Sequence, residues 1–224
     1  VIAVPVLLIV KEPDFGTATA YIFAFVFIMF VSGINKKYIF ASLAIIAVLV
    51  PVLYLNLPQH ALDRINVYLH PESDPRGSGY NIIQSKLAIG AGQILGMGFL
   101  QGNQTQLGYL HPKTTDFIFS AIGEELGFVV ASVVIILYVV LITKIVYVAK
   151  TAKDNVGSYI AIGIAGVLCF HMIENIGMTM GLLPITGVPL PFVSYGGSSL
   201  LTNFICIGLV LNVSARRQKA IFIE

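Results

Sequence analysis

Long apolar stretches alternate with short polar connections along this chain. A transmembrane α-helix needs about 20 predominantly apolar residues to cross the hydrocarbon core of a bilayer. The connections carry Lys and Arg or are rich in Pro, Gly and Asn, which is typical of helix boundaries. The apolar stretches cover residues 1–10 (partial), 17–34, 38–57, 117–143, 157–180 and 197–214. The pattern predicts an all-α, polytopic transmembrane helix bundle of about five full spans plus a partial one.

The composition agrees with this prediction. Of the 224 residues, 57% are hydrophobic and 11% are charged, against about 45–50% and about 25% in an ordinary soluble domain. We therefore expect one membrane domain over 1–224. The chain starts with Val-Ile-Ala-Val-Pro rather than Met, and we expect it to be the C-terminal part of a longer protein. A net charge of +2 without a large basic cluster argues against a nucleic-acid partner. Cys169 and Cys206 lie in apolar stretches, where thiols act as small hydrophobes.

Basic residues mark every second connection between the apolar stretches. By the positive-inside rule these connections are cytoplasmic, and they hold Lys36, Lys37, Lys144, Lys150, Lys153, Arg216, Arg217 and Lys219. The C-terminus is then cytoplasmic, and the segment 11–16, the long loop at about 58–116 and the loop at about 181–196 face outward. Most acidic residues lie on that outer side. We therefore expect any chemistry to take place at the outer surface.

The long outer loop contains a segment, 80–100, in which apolar and polar residues are mixed. Such a segment is too polar for a full span and fits either a short amphipathic helix at the membrane interface or a re-entrant segment. Either structure would form a platform beside a lipid substrate.

Asp116 is the strongest candidate for catalysis, because it stands where a polar loop enters a membrane helix. Partial desolvation at such a boundary makes a carboxylate a better base than a free aspartate. The alternative is an N-cap of the helix that follows, and the two roles are compatible. Glu124, Glu125 and Glu174 lie within apolar stretches, where carboxylates are costly and are either functional or held by structural hydrogen bonds.

Cations on the outer side run against the positive-inside trend. Arg64, Lys86 and Lys113 are of this kind, and an anionic substrate such as a pyrophosphate would explain them. Binding to phospholipid headgroups is the alternative. Asp14 is either a ligand group or the cap of the next helix, and the local sequence favours the cap. The four histidines have no metal-ligand spacing and are interpreted as ordinary polar residues.

Three sequence blocks resemble the RodA/FtsW/SpoVE family, also called SEDS for shape, elongation, division and sporulation. The most specific block is NIGMTMGLLPITGVPLPFVSYGGSS at 175–199. The second comprises HPESDP at 70–75, GYNIIQSK at 79–86, TDFIFS at 115–120 and EELG at 124–127, and it is more similar to the RodA branch than to the division branch. The third, EPDFGTA at 12–18, is similar to the family's QPDLGTA. Glu at position 12 and Phe at position 15 depart from that pattern, whereas Asp14 is retained.

The resemblance implies a peptidoglycan glycosyltransferase that polymerises lipid II at the outer face of the bacterial cytoplasmic membrane. It also implies a class B penicillin-binding protein as the partner and Asp116 as the catalytic carboxylate. Arg64, Lys86, Lys113, Glu124 and Asp14 are the candidate substrate-binding residues. No cofactor is assigned, and a divalent cation, Mg or Mn, is an alternative to side-chain cations at the leaving pyrophosphate.

Two other functions compete with the polymerase. A lipid II flippase would use the intramembrane carboxylates to relay protons, and a non-catalytic scaffold would only recruit the transpeptidase. Members of this family have about ten membrane spans, so the resemblance implies that this chain lacks the first four or so. We then expect part of any substrate groove between the two halves to be missing as well.

Overall fold

The computed structural model of the protein describes residues 5, 6, 8, 9, 12, 14–32, 37, 59–75, 77–110, 112 and 114–217. The predicted span at 38–57, most of the predicted remnant at 1–10, and Lys113 lie outside the described residues. The side chain of Arg64 lies outside them as well.

Every regular element in the described residues is helical. The elements are α1 (Phe15–Val31), α2 (Gln59–Leu69), a 3-10 turn (Pro71–Ser73), α3 (Ser78–Gly92), α4 (Asn103–Gln106), α5 (Ile118–Lys150), α6 (Asn155–Thr179) and α7 (Gly197–Arg217). Three of them, α5, α6 and α7, are long and apolar enough to cross a membrane, with mean hydropathies of 2.9, 1.9 and 1.6 over 18 consecutive residues. A shorter apolar helix covers Gly16–Val31. The prediction of an all-α membrane bundle is therefore confirmed.

One boundary differs clearly from its prediction. The sequence pattern ended a span at 143, before Lys144, whereas α5 continues to Lys150. A lysine can extend its stem along apolar surface and keep its ammonium in the polar layer. A charged residue near the membrane edge therefore does not end the helix.

The described bundle is organised around α6, which packs against α1, α5 and α7. Small residues make this packing close: Ala161 and Ala165 are completely buried, and a Cβ added to Gly166 would stand 3.0 Å from the Cα of Ala24 in α1. Small residues serve this purpose in membranes, where helices associate by packing rather than by the hydrophobic effect. By contrast, α5 exposes large apolar side chains such as Phe128 and Leu137, as expected for a lipid-facing surface.

The long helix α5 is broken at Gly127, whose φ of 77° and ψ of −177° are not helical. A break deprives the next two residues of their helical partners, and here these N–H groups are satisfied by the chain that follows α3. Phe128 and Val129 donate to the carbonyls of Gln93 and Ile94 at 2.9 and 3.3 Å.

The carbonyls on the other side of the break are satisfied in the same way. The Glu124 and Glu125 carbonyls accept from the N–H groups of Met97 and Gly98 at 2.9 and 3.0 Å. The segment predicted at 80–100 is thus a helix followed by a turn whose backbone completes the broken turn of α5. Non-helical chain at membrane depth requires such internal pairing.

Candidate active site

The loop that carries Asp116 is held by its backbone. Three consecutive carbonyls, at 114, 115 and 116, each accept a hydrogen bond from the region that ends α6 or precedes α7. The donors are the N–H of Tyr195 to Thr114 at 2.9 Å, the hydroxyl of Ser194 to Thr115 at 2.6 Å, and the amide of Asn175 to Asp116 at 2.9 Å. We call this set the backbone clamp. It fixes where the Asp116 side chain leaves the main chain.

Asn175 joins two loops through one amide group. Its Nδ2 also donates to the carbonyl of Val188 at 2.9 Å, and its side chain is completely buried. Ser194 has a similar double role, because its Oγ accepts from the N–H of Leu190 at 2.8 Å while it donates to the clamp. The loop around Asp116 and the loop 186–195 therefore form one hydrogen-bonded unit.

The carboxylate of Asp116 lies beside Gly187. A Cβ added to Gly187 would stand 3.5 Å from Oδ2 of Asp116. Gly187 has a φ of 74°, a backbone conformation in which side chains are disfavoured. Asp116 is partly buried, and no described residue forms a hydrogen bond with its carboxylate. Within the described part of the chain, both oxygens of this carboxylate are therefore available to accept a hydrogen bond from a bound molecule.

A polar cavity of about 340 Å³ adjoins this point. Its volume lies in the range of about 300–1,000 Å³ that is usual for small-molecule sites. The cavity is lined by Asp14, Thr17, His171, Thr186, Gly187, Val188 and Pro189. Gly187 is shared by the cavity wall and the surroundings of Asp116, so the carboxylate stands at the edge of a polar space.

Asp14 serves as a helix cap and also faces this cavity. Its Oδ1 accepts from the N–H of Thr17 at 3.0 Å and its Oδ2 from the Thr17 hydroxyl at 2.6 Å. The cap alternative is therefore confirmed, and the ligand role stays a prediction. The cap satisfies an N–H group that the first turn of α1 leaves without a helical partner.

His171 is a cavity residue that sequence reasoning missed, because it was interpreted as an ordinary polar residue. It lies on α6 three and four residues before Glu174 and Asn175, a spacing that places all three on one helix face. That spacing is the signal that could have identified it. Glu174 is buried and accepts from the Thr186 hydroxyl at 2.9 Å, so it holds the cavity wall.

Glu124 and Glu125 bind the returning arm of the outer loop. The oxygens of Glu124, which is completely buried, accept from the N–H groups of Gln104 and Thr105 at 2.7 and 2.9 Å. Glu125 accepts from the N–H of Leu100 at 3.0 Å and from the Gln106 amide at 2.6 Å. These contacts favour the structural alternative for both carboxylates.

Lys86 lies over the turn that ends α6, where a Cβ on Gly181 would collide with the lysine side chain. A helix C-terminus carries partial negative charge and favours a nearby cation. Lys86 is not among the residues that line the polar cavity. The described residues contain no group of three His, Cys, Asp or Glu side chains that could hold a metal ion, so a bound Mg or Mn stays a prediction.

Comparisons with known proteins agree with one another. Residues 1–219 match the model of the FtsW, RodA and SpoVE family, described as "Cell cycle protein". The chain is 39% identical over 218 residues to the peptidoglycan glycosyltransferase MrdB of Escherichia coli (strain K12), covering 97% of this chain and 59% of that protein. It is 40% identical over 209 residues to the stage V sporulation protein E of Bacillus subtilis (strain 168), covering 93% of this chain and 56% of that protein.

A solved structure supports the same relationship. One chain of a peptidoglycan synthase complex that coordinates polymerization and crosslinking matches with a TM-score of 0.78 and 31% sequence identity. The match covers 96% of this chain and 59% of that chain. The sequence thus spans little more than half the length of the proteins it matches.

Proposed function

Because this chain belongs to the FtsW/RodA/SpoVE family, we propose that it is the catalytic C-terminal portion of a peptidoglycan glycosyltransferase. The proposed reaction polymerises lipid II into glycan strands at the outer face of the bacterial cytoplasmic membrane, in cell elongation or shape maintenance. The name of the E. coli relative, a peptidoglycan glycosyltransferase, supports the reaction class.

The observation that carries the proposal is the state of the Asp116 carboxylate. The backbone clamp holds the main chain from which this carboxylate extends. The carboxylate itself stands at the edge of a polar cavity and accepts no hydrogen bond from a described residue. The carboxylates of Asp14, Glu124, Glu125 and Glu174 all accept hydrogen bonds from their own chain. A general base must be held in place and must also have its oxygens available to the reacting hydroxyl.

In the proposed reaction, Asp116 accepts the proton of the 4-hydroxyl of the acceptor GlcNAc. The hydroxyl oxygen forms a bond to the anomeric carbon of the donor MurNAc, and the bond from that carbon to undecaprenyl pyrophosphate breaks with inversion. The leaving pyrophosphate carries the negative charge away and needs a cation near it. Lys86, Arg64 and Lys113 remain the candidates for that contact, and Asp14 remains a proposed substrate-binding residue. Glu124 was predicted to bind substrate as well, but its two carboxylate oxygens accept hydrogen bonds from the N–H groups of Gln104 and Thr105, which favours its structural role.

We propose that Asp116 and the polar cavity face the outside and that the C-terminus is cytoplasmic. The helix α5 begins next to Asp116 and ends at Lys150, and α7 begins after the loop 181–196 and ends at Arg217. The site and the basic residues therefore lie at opposite ends of these helices. The positive-inside rule then assigns the basic ends to the cytoplasm.

We further propose a class B penicillin-binding protein as the partner that cross-links the glycan product. The solved relative belongs to a complex that coordinates polymerization and crosslinking, which supports an assembly of this kind. The flippase alternative depended on intramembrane carboxylates, but Glu124, Glu125 and Glu174 are all held by hydrogen bonds to neighbouring groups. Those contacts favour structural roles over proton relay.

The deciding experiment compares the full-length protein with its Asp116→Asn variant, each in complex with its transpeptidase, in gel-resolved polymerisation of labelled lipid II. Asn keeps the shape of the side chain and removes the base. We expect the glycan ladder to disappear in the variant while the complex remains intact. A persistent ladder would refute Asp116 as the base, and the absence of a ladder from both proteins would favour the flippase or the scaffold.

A further inference from the structure

We propose that Asn175 is a positioning residue for the reaction at Asp116, an inference that rests on the proposed function. Asn175 reaches Asp116 across 59 residues of sequence and contacts its carbonyl, not its carboxylate, at 2.9 Å. It therefore acts on the reacting group through the main chain. Its contribution is to fix the point from which the carboxylate extends.

The geometry uses both hydrogens of one amide group. One goes to the carbonyl of Asp116 and the other to the carbonyl of Val188, each at 2.9 Å. Val188 lines the polar cavity. Asn175 therefore sets the distance between the backbone of the base and the wall of the space beside it, which a bond to either partner alone would not do.

The donor group, rather than the acceptor oxygen, explains why an amide is present. The Oδ1 of Asn175 is buried and has no hydrogen-bond partner among the described residues. An unpaired buried oxygen is unfavourable, so a residue chosen only for packing would be apolar. Aspartate has the same shape, but when it is ionised it has no N–H and would place an oxygen against two carbonyl oxygens.

Ser194 gives the clamp a second side chain that can be tested independently. Its hydroxyl donates to the carbonyl of Thr115, the residue before Asp116, at 2.6 Å. Ser194→Thr retains the hydroxyl, whereas Ser194→Ala removes it. This pair tests the clamp even if a change at the completely buried Asn175 prevents folding.

Ser85 provides the matched control for burial. It is completely buried, as Asn175 is, and its hydroxyl lies 2.6 Å from the carbonyl of Thr179 and 2.6 Å from the hydroxyl of Ser120. It therefore stabilises the packing of α3 against α5 and α6 without contacting the Asp116 loop. Ser85→Ala reports the effect of losing a buried hydrogen bond that has no positioning role.

The experiment measures kcat and KM for lipid II with the full-length protein in complex with its transpeptidase, together with thermal stability in detergent. For Asn175→Ala we expect kcat to fall roughly 10- to 100-fold with KM within about threefold, because a displaced catalytic group costs rate rather than binding. Ser194→Ala is expected to lower kcat in the same way, whereas Ser194→Thr should keep most of the kcat of the unmodified protein. Ser85→Ala should lower only the midpoint of thermal unfolding.

The proposal is overturned if Asn175→Ala loses no more kcat than Ser85→Ala at equal thermal stability, or if its loss appears wholly in KM. If Asn175→Ala does not fold, equal kcat for the two Ser194 variants overturns it. A glycan ladder that persists in Asp116→Asn would instead refute the proposed function itself. The two failures are therefore distinguishable.

Discussion

The Oδ2 atom of Asp116 lies 3.5 Å from the position that a Cβ on Gly187 would occupy. Gly187 also lines the polar cavity and has a φ of 74°. The missing side chain thus serves two purposes, because it permits the turn and leaves the edge of the cavity open beside the carboxylate.

Replacing Gly187 by Ala in the full-length protein should therefore reduce the proposed polymerase activity by more than its effect on stability explains. The methyl group would contact the Asp116 carboxylate and also force a side chain into the left-handed region, which costs about 1–2 kcal/mol. The measurement is kcat for lipid II polymerisation alongside the midpoint of thermal unfolding in detergent.

Gly108→Ala is the control for that strain. Gly108 has a similar φ of 79°, but a Cβ there would meet nothing within 4 Å. We expect both variants to lose similar stability and only Gly187→Ala to lose activity. Equal activity in the two variants would show that the space beside Asp116 is not used by substrate.

The two roles of Asp14 can be separated by substitution. Ser is a good N-cap but carries no charge, whereas Ala caps poorly, at a cost of about 0.5–2 kcal/mol. We expect Asp14→Ser to keep the thermal stability of the protein and to lower kcat/KM for lipid II about tenfold. Asp14→Ala should lower both the thermal stability of the protein and kcat/KM for lipid II.

Thermal unfolding in detergent and polymerisation kinetics, measured on the same preparations, decide between these roles. If Asp14→Ser polymerises lipid II as well as the unmodified protein does, Asp14 is only the cap of α1 and its predicted contact with substrate is wrong.

Gly127→Ala should destabilise the protein where α5 is broken. A Cβ at this position would collide with the backbone N of Gly96, and the φ of 77° disfavours any side chain. We expect a loss of at least about 1–2 kcal/mol, seen as a midpoint of thermal unfolding lowered by several degrees.

The matched control for this change is Gly208→Ala in α7, where a Cβ would meet nothing within 4 Å. Ala is favoured over Gly inside a helix by roughly 0.5–1 kcal/mol, so this variant should be as stable as the unmodified protein or more stable. A stable Gly127→Ala variant would mean that α5 can continue without the break.

Much of the fold followed from local pattern. The apolar stretches predicted at 117–143, 157–180 and 197–214 correspond to α5, α6 and α7, because a helix that crosses a bilayer must be apolar along most of its length. The cap at Asp14 was predicted on the same basis, since an N-cap is a contact between residues three apart. Such features depend only on near neighbours in sequence.

The contacts of the site connect residues far apart in sequence. The sequence placed Asp116 at a membrane boundary, but not beside Gly187, and it left Glu124 and Glu125 equally open to function and structure. His171 was interpreted as ordinary because the other residues that line the cavity, such as Asp14 and Gly187, come from distant parts of the sequence. No periodicity encodes which helix face meets which loop.

The sequence by itself determined a polytopic helical membrane protein, its family, and Asp116 as the residue most suited to be a base. Only the tertiary structure decided which carboxylates accept hydrogen bonds from their own chain, because bonds such as that from the Thr105 N–H to Glu124 form when distant segments pack. It also decided what holds the loop that carries Asp116, since Asn175 meets Asp116 only after α6 packs against α5. Hydropathy is a property of each segment alone, whereas the position of a catalytic carboxylate depends on how the segments pack together.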